Sequence, residues 1–241
     1  MVILTQKKQF NPQVKKQLSF RDFQKQIKDK NKQTNDLVTL FRSDYSPANT
    51  KDVNDKFIDL MSFYNINFEH IGKIRDERLK LQTSFTAGDL FYLTAFSVKD
   101  HGKQRYRDFS IENLDNALNL YKSVQDICFD RQSYLDVFNA SEAISSSYQL
   151  LDKVKPLNTK EQFNALRNAF NVIFLGEKSS HEVIKEKVRE NKVYAENLLD
   201  KLFNEKLDST RQQVNELALA QRGIYLKDRR YDVFLGKKFN F

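Results

Sequence analysis

The chain has no tryptophan, one cysteine, three prolines, six glycines and three histidines among its 241 residues. With Cys128 alone, no intramolecular disulfide can form, and nothing points to an oxidising compartment. Glycine and proline mark turns, and a sheet protein of this length needs many of them. Their scarcity therefore favours helices. No two glycines lie within six residues of each other, which excludes the GxGxxG and GxxxxGK[ST] phosphate cradles. His70, His101 and His181 are far apart in sequence, and there is no His-x-x-x-His or cysteine pair, so no metal site is expected. Glu69 directly precedes His70, which is not the Glu-x-x-His spacing of di-iron bundles. Each histidine reads as an exposed or capping residue. No apolar run approaches the roughly 18 residues of a membrane span. Met1-Val-Ile-Leu turns basic after four residues, the reverse of a signal peptide. The expected location is the cytoplasm, or a virion assembled there, without secretion by a signal peptide.

What the chain does have is charge, unevenly spread. The net charge is +8. Residues 1–33 hold eight lysines and one arginine against two aspartates, a net +7. Residues 223–241 hold five basic groups against two acids, a net +3, which leaves the body near −2. Apolar residues make up 40% of the chain, enough for a core, while the 30% that are charged suit exposed helix faces.

The pattern predicts an all-α fold: a helical bundle over 19–223 between an extended basic arm (1–18) and an extended aromatic and basic arm (224–241). Its most conspicuous element is one long C-terminal helix over about 180–222. Ser179 and Glu182 have the spacing of a capping box, no Gly or Pro follows for some forty residues, and Gly223 supplies a stop. Such a rod would be roughly 65 Å long. Phe203, Leu207, Thr210, Val214, Leu217, Gln221 and Ile224 carry a 4-3 period, preceded by Ile184, Val188, Ala195, Leu198 and Leu202 with a gap at Asn191. That period is the seam of a coiled coil or bundle.

Upstream, a helix starts at Ser19 with Phe20, Phe23 and Ile27 on one side, and Leu37, Leu40 and Phe41 continue it or form a second piece. The polar run KDKNKQTND between them is either a solvated face or a hinge. Thr50 is a candidate N-cap for an amphipathic helix through Val53, Phe57, Leu60, Tyr64, Phe68 and Ile71, which thins at Gly72 and goes on. Residues 82–109 are ambiguous. Phe85–Val98 suits a buried helix or a strand. Lys103, Arg105 and Arg107 at alternate positions suggest a small β-hairpin over about 89–109. Ser110 then opens a helix striped by Leu114, Leu118, Tyr121, Val124 and Cys128. Pro156 ends the next helical run, and Asn158 with Glu161 makes another box-like cap, for a helix that Gly176 closes.

Catalytic chemistry finds no support in these patterns. Ser145, Ser146 and Ser147 lack a His or Lys context, Cys128 reads as a small buried hydrophobe, and pairs such as Glu186 with Arg189 suit a solvated helix face. No catalytic, cofactor-binding or metal-binding residue is assigned.

The arms carry the functional expectation. Residues 224–241 are half apolar, and exposed apolar patches mark contacts. The expected partner-binding residues are Phe10, Tyr225, Tyr231, Phe234, Phe239 and Phe241, contacting other protein subunits in a homo- or hetero-oligomer. This describes a non-enzymatic structural subunit of a large assembly. In outline, a helical bundle with an extended tail, it resembles the adaptor proteins at the head–tail junction of tailed phages. The alternative is a nucleic-acid-binding accessory protein for replication or packaging. Lys7, Lys8, Lys15 and Lys16 of the basic arm, with Lys103, Arg105 and Arg107 around Tyr106, would then meet phosphates and bases.

Overall fold

The computed structural model describes residues 17–42, 51–99 and 103–205. Among them are eight helices and no strand: α1 (Phe20–Arg42), α2 (Lys51–Ile66), α3 (Phe68–Gly72), α4 (Glu77–Val98), α5 (Gln104–Asp130), α6 (Tyr134–Val154), α7 (Thr159–Gly176) and α8 (Glu182–Glu205). The all-α expectation holds. The helices fall into two compact units that divide between Leu120 and Tyr121, within α5.

In the first unit α4 lies against α1, α2 and α3. The run KDKNKQTND is not a hinge, because α1 passes through it unbroken, and Lys28, Asp29, Lys32, Asn35 and Asp36 form the solvated face expected of it. Asn31 and Thr34 are fully buried there, on the stripe that Phe23 and Ile27 begin and Leu37 and Val38 continue. Asn31 Nδ2 donates to Thr83 Oγ1 at 2.8 Å, and its Oδ1 accepts from the Tyr64 hydroxyl at 2.9 Å. Thr34 donates to the Lys30 carbonyl at 2.8 Å. A buried amide is stable only when its donors and acceptors are matched, and these are. Burial also pushes the Tyr64 phenol above its ordinary pKa.

The hairpin expected over 89–109 does not form, because α4 occupies its first half and α5 its second. Ten residues of α4 are buried, from Thr83 to Val98. Burial over so broad an arc removes the polar stripe that would have marked the segment as a helix. Asp76 caps α4 by accepting from the Leu79 amide at 3.0 Å. The helix expected to thin at Gly72 breaks earlier, at Asn67. Asn67 Nδ2 donates to the Phe63 carbonyl at 2.8 Å, and its φ of −105° and ψ of 17° leave the helical path. A short polar side chain that bonds back to the previous turn competes with the helix ladder.

The second unit holds the end of α5 with α6, α7 and α8. The Asn158–Glu161 capping box is present. Asn158 Oδ1 accepts from the Glu161 amide at 3.0 Å, and Glu161 Oε2 accepts from the Asn158 amide at 2.8 Å. The Ser179–Glu182 box is not. Ser179 is buried and its Oγ accepts from the His181 amide at 3.2 Å, while Glu182 turns to Lys185 and Arg189. The long helix expected over 180–222 is described only as Glu182–Glu205, and its remainder, with Gly223, lies outside the described residues.

The seam gap at Asn191 is a buried polar contact. Asn191 is 1% exposed and its Oδ1 accepts from Ser145 Oγ at 2.6 Å. A second polar layer joins Gln125 Nε2 to Ser141 Oγ and to Asn168 Oδ1, both at 2.7 Å. Cys128 is buried, and burial pushes its thiol up to about 12. No helix among the described residues is long and apolar enough to cross a membrane.

Candidate functional site

Most of the expected contact residues lie outside the described residues: Phe10, Tyr225, Tyr231, Phe234, Phe239 and Phe241, and with them Lys7, Lys8, Lys15 and Lys16. Lys103, Arg105 and Arg107 are placed, at the start of α5, and all three are exposed. They do not alternate along a strand. The Lys103 carbonyl accepts from the amides of Tyr106 at 2.9 Å and Arg107 at 3.3 Å, so Lys103 stands at the mouth of the helix. Lys103 and Arg107, four residues apart, share one side of it. Ser110 therefore does not open this helix. It is fully buried inside it, where Ser110 Oγ donates to the Ala95 carbonyl at 3.4 Å and ties the start of α5 to the end of α4.

The end of α4 supplies an aromatic face. Tyr92, Phe96 and Lys99 are spaced i, i+4, i+7. The Tyr92 and Phe96 rings are near-parallel, 27° apart, with centroids 6.4 Å apart. Phe96 is 42% exposed, and the Lys99 ammonium sits 3.7 Å above its ring. Across the corner the Arg105 guanidinium lies 4.7 Å over the Tyr106 ring and donates to the Tyr106 hydroxyl at 3.0 Å. Both pairings are cation–π contacts. This corner offers cations and π-faces, which bind anions and flat rings.

A different kind of site lies at the N-terminal edge of the first unit. The Leu18 amide donates to Asn67 Oδ1 at 3.1 Å, and the Leu18 carbonyl accepts from His70 Nε2 at 2.7 Å. A carbonyl can only accept, so this ring nitrogen carries the hydrogen. His70 is 7% exposed and packs against Phe20 and Phe23, with centroids at 5.6 and 5.5 Å. The expectation that His70 is an exposed or capping residue is thus corrected. It is a buried clamp on the chain just before α1. Its spacing from Phe20 and Phe23 gave no sequence signal.

In the second unit a groove of about 530 Å³ runs between α6 and α8, lined by Asp152, Glu190, Val193, Tyr194 and Lys201 among others. Lys201 Nζ reaches Asp152 Oδ2 at 2.5 Å. Burial foremost, then Asp152 and Tyr148, raises the Tyr194 phenol above its ordinary pKa. Both carboxylates lining this groove are neutralised by lysines, Asp152 by Lys201 and Glu190 by Lys187, and the first of these pairs ties α8 to α6. Among the described residues, no three His, Cys, Asp or Glu side chains gather as metal ligands would. No family model, curated protein or solved structure matches this chain.

Proposed function

We propose that this chain is a non-enzymatic structural subunit of a multiprotein assembly, joined to neighbouring subunits through its terminal segments 1–18 and 224–241. The observation that carries the reading is the seating of Leu18. Both of its main-chain polar groups are held by the side chains Asn67 and His70. The basic N-terminal segment is therefore tethered to the body at Leu18. An arm that must find a partner gains from such anchoring, because fewer conformations are lost on binding.

The composition of the other terminal segment supports the same reading. Half of residues 224–241 are apolar and five are aromatic, as contact surfaces tend to be. The finer form of the proposal is a connector-type subunit of a virion, which rests on outline alone. It includes a continuation of α8, since the 4-3 period runs on in the sequence past Glu205 towards Gly223. A helix of that length would set the aromatic segment at a distance from the body.

Size-exclusion chromatography with light scattering tests the proposal on the full chain and on a chain lacking 224–241. The full chain is expected at multiples of its 28.5 kDa mass, alone or with co-purified subunits, and the shortened chain at the monomer mass. Identical monomer masses for both, with no subunit retained by either, would contradict it.

A further inference from the structure

We propose that the α4–α5 corner binds single-stranded nucleic acid, with a base stacked on Phe96 and the phosphate backbone held by Lys99, Lys103, Arg105 and Arg107. The inference rests on the first unit alone and stands whether or not the chain is an assembly subunit.

Charge is the first argument. Residues 96–107 hold four basic side chains and a single acid, Asp100. Among the described residues no carboxylate pairs with any of the four cations. The contrast is α8, where Lys185, Lys187 and Arg189 each meet a glutamate within 3.4 Å. Four cations gathered between Lys99 and Arg107 make a local positive field that attracts an anion.

The placement of these cations is the second argument. The first turn of α5 carries no acid, and Lys103, Arg105 and Arg107 crowd it. A helix N-terminus is the positive end of the macrodipole and favours acids, so these charges stand against the field of their own helix. A phosphate at that end satisfies Lys103, Arg107 and the helix together, and Arg105, on the other side, reaches an adjoining phosphate.

Exposed aromatic surface selects a nucleic acid among anions. Phe96 is an exposed aromatic ring with the Lys99 ammonium 3.7 Å from its centroid. Tyr92 on one side of it and Tyr106 at the start of α5 add further π-surface. Lysine is long and flexible. When a base takes the ring face, the Lys99 ammonium swings to the adjoining phosphate. Stacking faces set among cations are how single strands are held without sequence preference. A base inside a duplex is already stacked, so this surface favours single strands over duplexes.

The test is fluorescence anisotropy with labelled 20-nucleotide oligo-dT, oligo-U and a DNA duplex of equal length, using the full chain. Wild type is expected to bind both single strands more tightly than the duplex. Phe96→Ala should weaken single-strand binding by about tenfold, as loss of one stacked base does. Phe96→Tyr should restore it. Replacing Lys103, Arg105 and Arg107 together by glutamine should flatten the dependence of log affinity on log salt by about 2, near 0.7 per phosphate contact. Circular dichroism should show all variants folded, since every substituted side chain is exposed. A preference for oligo-dT over oligo-U, or the reverse, identifies which strand is the natural source. Overturning results are wild-type affinity in both Phe96→Ala and the triple variant, tighter binding to duplex, or binding to anionic phospholipid vesicles with none to either single strand.

Discussion

His70 donates its Nε2 hydrogen to the main-chain carbonyl of Leu18 at 2.7 Å, across 52 residues of sequence. Asn67 takes the Leu18 amide, so one residue of the chain is held at both polar groups by two side chains, Asn67 between α2 and α3 and His70 within α3. His70→Ala removes the donor and the ring that packs on Phe20 and Phe23. It is expected to cost about 1–3 kcal/mol in urea unfolding. Asn67→Ala should cost about 1–2 kcal/mol by the same principle. Hydrogen exchange separates the clamp from general destabilisation: the Leu18 amide should lose protection in Asn67→Ala while amides in α6 and α7 keep theirs. Unchanged protection at Leu18 would contradict the anchoring.

Asn191 and Ser145 form a buried pair within the second unit, at 2.6 Å. Asn191→Ala leaves the Ser145 hydroxyl buried without its partner and is expected to cost about 1–3 kcal/mol. Ser145→Ala added to it should cost little more, because the orphaned group is gone. A double-mutant cycle measures the coupling. Additive costs would show that the two side chains stabilise the unit independently.

Two glycines should respond in opposite ways to alanine. A Cβ at Gly176 would come within 2.6 Å of Val188 Cγ2, and within 2.9 Å of Ile184 Cγ2 and Phe138 Cε2. Gly176→Ala is therefore expected to destabilise by about 1–3 kcal/mol, as overpacked cores do. Gly72 has nothing within 4 Å of that position and no left-handed φ. Gly72→Ala is expected to stabilise by about 0.4–1 kcal/mol, chiefly by restricting the unfolded chain. Thermal melts of the two variants check both signs.

Much of the fold could be read from the sequence wherever one face of a helix is wet. The Asn158–Glu161 box, the stop before Pro156, the burial of Cys128 and the exposed Glu186–Arg189 pair follow from spacing alone. The failures have physical causes. Asn31, Thr34 and Asn191 are buried amides and hydroxyls on the core stripe, so a period counted on apolar residues breaks at them. In α4 burial extends around the helix and erases the stripe. Ser179 and Glu182 have the right spacing for a box, but each side chain finds a different partner. Of the α4–α5 corner, Lys103, Arg105, Tyr106 and Arg107 stood out in sequence as a basic and aromatic mix. Tyr92, Phe96 and Lys99 did not. Their i, i+4, i+7 spacing becomes a signal only once the segment is known to be helical.

Glu161 gives the second unit a pH dependence. Burial raises its pKa, but the Lys155 ammonium at 2.8 Å and the Asn158 amide outweigh it, and the carboxyl lies below its ordinary value of 4.5. A depressed acid contributes stability above its unfolded pKa and loses it as pH falls through the folded one. Wild type should therefore exceed Glu161→Gln in urea midpoint at pH 7, with the gap closing below about pH 4.5. A gap that stays constant between pH 7 and pH 3 would show that the charge of Glu161 plays no part.

The central claim is that the terminal segments bind neighbouring subunits, and photo-cross-linking tests it most directly. A photoreactive amino acid replaces Phe10 in one version of the full chain and Phe234 in another, and each is irradiated within the native complex. The account predicts covalent products between this chain and other subunits from both positions. Products confined to single chains at both positions would contradict it.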